Sequence, residues 1–413
     1  MSTIAYLANQ FPSCVEPYVW EEINHLRNRG ATVIPCSART AAAGLPPSLE
    51  KLSAETLCLQ PLDWSLCLRA AGLLLWRIGS LSDLLLRIVA QGREPLLRRA
   101  KALLHTWLGV YLALLLRGRG VEHIHVHHGY FASWVAMAAA RVLGVSYSMT
   151  LHGSDLLLDG VYLDTKIANC SACFTVSEFN ARQIERRFPS GAHKVLVRRL
   201  GVVPARGATP PPPMAPGGCF VMLSVGRLHP VKDHAFLLEA CSWLQFRKVN
   251  FLCLIAGDGP EREQLQEQIR ALGLQREVKL LGQLPHEEVE ALYLLVDLVV
   301  LTSKSEGIPL TLMEAMSHGC PVLAPAITGI PELVIDGETG FLYSPGMIEE
   351  FVERVEFIQR SGSALGPLRR AAWEHIRAGF DRDTNLRQFA DALLQEVSTQ
   401  AAIQYESPLL QQI

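Results

Sequence analysis

The chain has 413 residues, 49% of them hydrophobic, a formal net charge of −2 at pH 7 and a mean hydropathy of +0.19. That length exceeds what one hydrophobic core usually supports, so a single-core protein is excluded and two domains are expected. The hydropathy calls for large buried α/β cores or contact with a membrane, but no stretch reaches the ~20 apolar residues of a bilayer span. The longest, Ala102–Leu116, stops at 15 and contains His105.

Met1 to Leu7 begins directly with a strand-like run and has no basic n-region ahead of an apolar one, so a signal peptide is not expected. Apolar strand candidates follow at Ile4–Leu7, Thr32–Pro35, His123–Val126, Ser146–Thr150, Cys173–Val176 and Lys194–Val197, alternating with helical patterns. Residues 62–119 interrupt this rhythm with little but Leu, Ala, Trp, Ile and Arg. If Leu62 to Ala90 formed one helix, Ser65, Arg69, Arg77, Ser80, Asp83 and Arg87 would share a narrow polar stripe. Two expectations stay open here: a pair of buried helices, or a basic apolar surface that docks on an anionic membrane with Trp64, Trp76 and Trp107 at headgroup level. Charge is unevenly spread. Met1–Ala205 carries 21 Lys+Arg against 14 Asp+Glu, and the remainder 17 against 26, so anionic acceptors or an anionic surface would be drawn to the first half.

The stretch 206–218, with Thr-Pro-Pro-Pro-Pro-Met-Ala-Pro-Gly-Gly inside it, holds neither helix nor central strand and reads as a domain linker. Strand candidates resume at Phe220–Ser224, Phe251–Ala256, Val278–Leu281, Leu298–Leu301 and Pro321–Ala324. Short buried strands alternating with helices imply parallel sheets covered on both faces. The expected architecture is α/β: two Rossmann-like doubly wound domains, 1–205 and 219–370, facing a central cleft where ligands meet strand carboxyl ends. Helices over 371–397 would cross back toward the first domain, and 398–413 would be a tail. Ten cysteines in apolar contexts indicate a reducing, cytoplasmic setting. Cys170 and Cys173 form the only C-x-x-C, without a second pair at zinc spacing, and read as core residues.

Glu306 and Glu314 carry the sharpest chemical signal. The run before them looks like a buried strand, Pro309 suits a first helical position and Gly319 the position past the helix end. One carboxylate therefore sits on a loop and the other inside a helix, with the unpaired amides of the helix N-terminus between them, a seat for phosphate. Carboxylates accept hydrogen bonds from vicinal diols, so the pair suits a sugar on one side and a ribose on the other. In Leu223-Ser-Val-Gly-Arg-Leu-His-Pro-Val-Lys, Gly226 and Arg227 follow a strand and Lys232 lies five residues on. Two cations at a strand-to-helix turn read as a diphosphate clamp.

Gly-Arg-Leu with Lys232, the turn Gly257-Asp-Gly259-Pro, the acid pair, and Thr328-Gly-Ile-Pro-Glu-Leu-Val with Gly337 and Gly340 occur in the same order as in retaining glycosyltransferases of family 4 with the GT-B fold. The chain resembles that family over most of Phe220–Pro345. Weaker echoes in the first half are Phe11-Pro before Glu16, Glu21-Glu22-Ile, His123–His128, Thr150-Leu-His-Gly-Ser-Asp and Val176-Ser-Glu-Phe-Asn. It is most similar to the branch that builds bacterial exopolysaccharides of the colanic-acid type. The resemblance implies that Arg227 and Lys232 hold a UDP- or GDP-linked donor's diphosphate, Glu306 the transferred hexose and Glu314 the ribose. It also implies sugar and phosphate contacts from Gly226, Gly257, Gly259, Gly307, Ile308, Leu310 and Thr311, and places His152 near the anomeric carbon. The acceptor would be a saccharide or a lipid-linked one; no other cofactor, metal or nucleic acid is expected, and the site would be cytoplasmic, at most peripheral on the inner membrane face.

Departures bear on the acceptor side. The first loop, Phe11-Pro-Ser-Cys-Val-Glu-Pro-Tyr, lacks the glycines many relatives carry, and Val15-Glu16-Pro17 stands where Ser-Glu-Thr is usual, so only Glu16 carries over. Leu200-Gly201-Val202 stands where Asn-Gly is frequent. Alternation puts His123, His125 and His127 on one strand face, which could ligate zinc, but no matching Cys, Asp or Glu cluster accompanies them. Asp381-Arg-Asp383 mimics a metal-binding Asp-x-Asp yet lies among terminal helices. Two acids on one cradle favour transfer over the hydrolysis of a glycosidase. A phosphorylase-like enzyme and a nicotinamide oxidoreductase lack their marks, the latter a Gly-x-Gly-x-x-Gly after Ile4–Leu7. A catalytically silent partner in a polysaccharide assembly complex is the non-enzymatic alternative.

Overall fold

The computed structural model describes residues 2–13, 16–41, 45, 47–92, 94–157, 160–204 and 218–406. The chain forms two compact units: Met1–Val176 with Asn180–Arg198 and Leu386–Ile413, and Ser177–Phe179 with Arg199–Asn385. All of the proposed linker 206–218 except Gly218 lies outside the described residues.

The first unit holds seven parallel strands: β1 (Thr3–Gln10), β2 (Thr32–Arg39), β3 (Leu57–Cys58), β4 (His123–His127), β5 (Ser146–Leu151), β6 (Ala172–Thr175) and β7 (Val195–Val197), in the order β3-β2-β1-β4-β5-β6-β7. The second holds six: β8 (Phe220–Val225), β9 (Phe251–Ala256), β10 (Val278–Gly282), β11 (Leu298–Val300), β12 (Val322–Pro325) and β13 (Phe341–Tyr343), in the order β10-β9-β8-β11-β12-β13. Both sheets are Rossmann-like. In each, strand order reverses beside the first strand, between β1 and β4 and between β8 and β11, so each carboxyl edge has a switch point where loops diverge and a ligand fits. Buried strands such as Ile4–Ala8 of β1 and Leu298–Val300 are nearly continuous apolar runs because helices cover both faces.

The single helix considered over 62–90 is two: Trp64–Trp76, capped by Asp63, whose carboxylate accepts the Leu66 amide at 2.9 Å, and Ile78–Val89, with Arg77 at the break. The polar stripe therefore does not form. Arg87 instead pairs with Glu94 at 2.9 Å and Asp164 at 3.1 Å, and Asp83 with Arg141 at 2.9 Å. Neither helix of the pair is buried throughout. Leu81, Leu84 and Ile88 enter the core, but only Ala70 of the first helix does, while Trp64 is 84% exposed and Leu68 76%. A third helix, Leu96–Leu116, packs its second half on Phe131–Leu143, ten of whose residues are buried. Gly109 permits that contact, since a Cβ there would lie 2.5 Å from Ala138 Cβ.

The terminal helices divide differently from the expected boundary at 371. Gly366–Gly379 packs Leu368, Ala372 and Ile376 within the second unit. In Arg382–Glu406 the residues Phe389, Ala390, Leu393 and Val397 join the core of Ile4, Tyr6 and Phe174 in the first. Helix continues through 398–406 of the segment read as a tail. Cys170 and Cys173 are buried free thiols.

Candidate active site

The switch point of the second sheet gathers the residues the sequence singled out. β8 ends at Val225, and the turn from Gly226 to Lys232 is stitched to the end of β11 by three hydrogen bonds: Lys304 amide to Val231 carbonyl, 2.8 Å, Thr302 hydroxyl to Lys232 carbonyl, 2.9 Å, and Lys232 Nζ to Glu306 Oε1, 2.5 Å. The last is a half-buried ion pair, its side chains 18% and 14% exposed. An ammonium has three hydrogens, so Glu306 leaves two for an oxyanion. Arg227 is exposed, and among the described residues no acid pairs with it. After Glu306 the chain enters the helix Leu310–Ser317. Pro309 caps it rather than occupying its first turn, because its ψ of 121° is still extended; Gly319, with φ of 67°, ends it as expected. Among the described residues no backbone carbonyl accepts the amides of Gly307, Ile308, Leu310 or Thr311. The buried hydroxyls of Ser303 and Ser305 likewise have no partner there, a feature that the sequence reading passed over.

The glycines of this region hold loops together. Gly257 has φ of +144°, and a Cβ on it would lie 1.9 Å from the Gly226 carbonyl oxygen; one on Gly259 would lie 2.3 Å from that of Leu228. The two loops close through Gly226 amide to Ala256 carbonyl, 2.9 Å, and Leu228 amide to Asp258 carbonyl, 3.0 Å. Thr328-Gly329 buttresses the acid loop similarly: the Glu306 amide reaches Thr328 Oγ1 at 3.4 Å, and a Cβ on Gly329 would strike the Gly307 carbonyl. Glu314 lies on the helix, its Oε2 accepting the Tyr293 hydroxyl at 2.9 Å. Burial raises its pKa, and the tyrosine bond works against that rise.

The switch point of the first sheet is a histidine cluster. His127 ends β4 and His128 follows it; His152 follows β5. Asp155, fully buried, accepts the amides of Gly129 at 2.8 Å, His152 at 3.1 Å and Gly153 at 2.8 Å. His128 donates Nε2–H to Glu16 at 2.9 Å and has Nδ1 3.7 Å from Asp155. Burial opposes a charge on His128, but Asp155 and Glu16 outweigh it and lift the pKa to about 9. Burial pulls Asp155 upward, yet His128 and the donated amides hold it well below the usual carboxylate range. His152 is pushed well below its ordinary value by burial and by His128 and His127. Its ring stacks on His127 and leans on Tyr18, with centroids 5.1 and 4.7 Å away.

The structure thus brings Gly226, Arg227, Lys232, Gly257, Gly259, Glu306, Gly307, Ile308, Leu310, Thr311 and Glu314 into one unit and His152 into the other. For the strand histidines it corrects one expectation. An acid does accompany them, for Glu22 from the helix Pro17–Asn28 reaches His127 Nε2 at 3.0 Å, and Glu22, His125 and His127 present ligand atoms within 4.8 Å of one another. Still, the ring nitrogens are already engaged: His123 by Ser146 and Ser148, both 2.7 Å, and His125 by Ser148 at 2.8 Å and Thr150 at 3.1 Å. Asp381 caps the final helix, accepting the Thr384 amide at 2.8 Å.

Comparison with known proteins gives matches in both halves. Residues 15–206 match the family model of glycosyltransferase family 4, and residues 210–374 that of glycosyl transferases group 1. Over 207 residues the chain is 33% identical to WcaL of Escherichia coli strain K12, named for colanic acid biosynthesis, a match covering 48% of this chain and 51% of that one. It is 30% identical over 214 residues to AmsK of Erwinia amylovora, named an amylovoran biosynthesis glycosyltransferase, covering 49% and 51%. The chain spans about half the length of these curated relatives. Similar solved structures include sucrose-phosphate synthase from Thermosynechococcus elongatus, with TM-score 0.73, 18% identity and coverage of 97% and 100%. Another is HepE of Anabaena in complex with UDP-glucose, with TM-score 0.70, 20% identity and coverage of 96% and 100%. At such identities they establish the fold.

Proposed function

Because the chain belongs to glycosyltransferase family 4 and has the Rossmann-like units of the GT-B fold, we propose that it moves a hexose, with retained configuration, from a UDP- or GDP-linked donor to a saccharide or lipid-linked acceptor during cell-surface polysaccharide assembly. One observation carries the reading: Arg227, Lys232, the amides of Gly307, Ile308, Leu310 and Thr311, unpaired among the described residues, and two carboxylates on either side of those amides share one switch point. Arg227 and Lys232 neutralise the charge that grows on the departing diphosphate, and the helix N-terminus adds its partial charge. Glu306 takes the hexose hydroxyls and Glu314 the ribose diol. In this front-face substitution the bond from the anomeric carbon to the diphosphate oxygen breaks. The acceptor oxygen bonds to that carbon from the same side, and its proton passes to the leaving phosphate, so neither a side-chain base nor a metal is required. HepE, solved in complex with UDP-glucose, lends the donor class support. Nucleotide release from a panel of UDP- and GDP-sugars tests the proposal. Turnover with one of them is expected; silence with all of them, in the presence of polysaccharide-precursor acceptors, points to the silent-partner alternative.

The acceptor's setting is an anionic membrane on its cytoplasmic side. No helix among the described residues is long and apolar enough to cross a bilayer. The outer face of Trp64–Trp76 nevertheless exposes Trp64, Leu68, Leu75 and Trp76, and the first half of Leu96–Leu116 exposes Leu96, Leu97 and Leu104. Arg69 and Lys101, both exposed, lie on the flanks of these faces. Apolar faces rimmed by cations insert at the interface of anionic lipid. Sedimentation with anionic vesicles, weakening as salt rises, is expected; absence of binding at every salt concentration removes this part of the proposal.

A further inference from the structure

Behind His152 runs a chain of polar groups with a single open end. Tyr6 on β1, Glu22 on the helix Pro17–Asn28, His127 on β4 and His152 beyond β5 contact one another in sequence, and the first three are buried. Glu22 Oε2 is approached by the Tyr6 hydroxyl and by His127 Nε2, the latter at 3.0 Å; Tyr6 Oη also lies 2.8 Å from His127 Nε2. On the far side of the ring, His127 Nδ1 lies 2.9 Å from His152 Nε2.

These contacts determine where the hydrogens sit. A carboxylate only accepts, and the tyrosine has one hydrogen, given to Glu22, so His127 supplies the hydrogen between its Nε2 and the acid. Its Nδ1 is then a lone pair. The hydrogen between the two rings therefore belongs to His152 Nε2, which leaves His152 Nδ1 as an acceptor with no protein partner among the described residues. The other groups around the ring agree. His128, held cationic by Asp155 and Glu16, has its centroid 4.6 Å away and disfavours a second proton on His152. Tyr18 covers the ring, and His125, edge-on to His127, has both nitrogens taken by hydroxyls.

We infer that Glu22 and His127 are positioning residues that fix His152 as its Nε2–H tautomer, so that His152 Nδ1 accepts a hydrogen bond from a sugar hydroxyl at the carboxyl edge of the first sheet. This rests on the glycosyl-transfer reading, which puts His152 near the anomeric carbon, and adds the direction of the bond: His152 accepts. A ring's tautomer is set by the bond its other nitrogen makes, so the chain acts like the outer partners that orient metal-bound histidines.

Long-range proton–nitrogen NMR of the full chain carrying nitrogen-15 histidine reads the tautomer without turnover. His152 should show a bare Nδ1 and a protonated Nε2 in the wild type and lose that pattern in Glu22→Gln, whose amide can donate toward His127. In transfer assays Glu22→Gln should lower kcat on the order of 10- to 100-fold, with donor KM changed less than about twofold and an unchanged circular dichroism spectrum. Glu22→Asp should recover part of the loss. A protonated His152 Nδ1 in the wild type overturns the inference, as does a Glu22→Gln variant with normal kcat. A stoichiometric metal bound through Glu22, His125 and His127, removable by chelator with loss of the tautomer pattern, overturns it as well. A protein that transfers from no donor yet shows the stated tautomer overturns the functional reading instead.

Discussion

The two switch points share a topology and differ in what they leave open. At β8 and β11 the described polar groups are largely unspent: an exposed guanidinium, a lysine with hydrogens to spare, bare amides and the hydroxyls of Ser303 and Ser305. At β1 and β4 the network is closed. Asp155 collects three amides and an ion pair, His123 and His125 are saturated by hydroxyls, His127 is held by Glu22 and His152, and one nitrogen on His152 remains. Under the proposed function the same sheet edge serves once as a multivalent seat for an anion and once as a mount for a single aimed group. Such a difference lies in side chains, not in the fold.

Removing the open seat should cost most. Lys232→Ala and Glu306→Ala should each lower transfer at least ~10²-fold, about 2.7 kcal/mol in the barrier or more, with native circular dichroism; near-normal turnover in both would dissolve the contrast. Next is the loop closure beneath that seat. Gly257→Ala combines φ of +144° with a 1.9 Å approach to a carbonyl and should destabilise by about 3 kcal/mol or more, whereas Gly226→Ala meets only Lys232 carbons at 3.5 Å and should cost under about 1 kcal/mol. Equal denaturation midpoints for the two would count against the packing argument.

The closed network should announce itself through pH. His128 is raised to about 9, so its stabilising contribution is complete below its unfolded value near 6.5 and is lost as pH climbs through about 9. Asp155 is lowered, so its contribution is present above its unfolded value near 3.9 and is lost only as pH falls through the depressed one. Unfolding free energy should therefore fall by on the order of 2 to 3 kcal/mol between pH 6.5 and 9.5, and His128→Gln should flatten that slope. The smallest effect belongs to the outer face: Trp64→Ser should change stability by under ~0.5 kcal/mol while reducing the fraction bound to anionic vesicles.

Much of this was legible in the residues, because parallel strands and the strand-to-helix turns bearing Gly226, Arg227 and Glu306 leave local signatures. Phe251–Ala256 was read to its ends, and Lys232 and Glu306, read as sharing a ligand, do meet across 74 residues of sequence. Strands β3 and β13, two and three residues long, carried too little pattern to be seen. The break at Arg77 escaped because no Pro or Gly marks it, and apolar periodicity continues on both sides. Glu22 was noted only as part of a helix motif. Its partner His127 lies 105 residues away, and only tertiary packing reveals why a buried acid is tolerated there.

The helix Leu96–Leu116 begins in solvent and ends in the core, and at Gly109 it meets Ala138 of its neighbour with no side chain of its own between. A 21-residue helix is a stiff rod about 31 Å long. Clamped at one end, it has no hinge by which its outer leucines could swing. Whatever surface those leucines meet is thus read at an angle dictated by the sheet, and the strand that follows, bearing His125 and His127, inherits the same frame of reference.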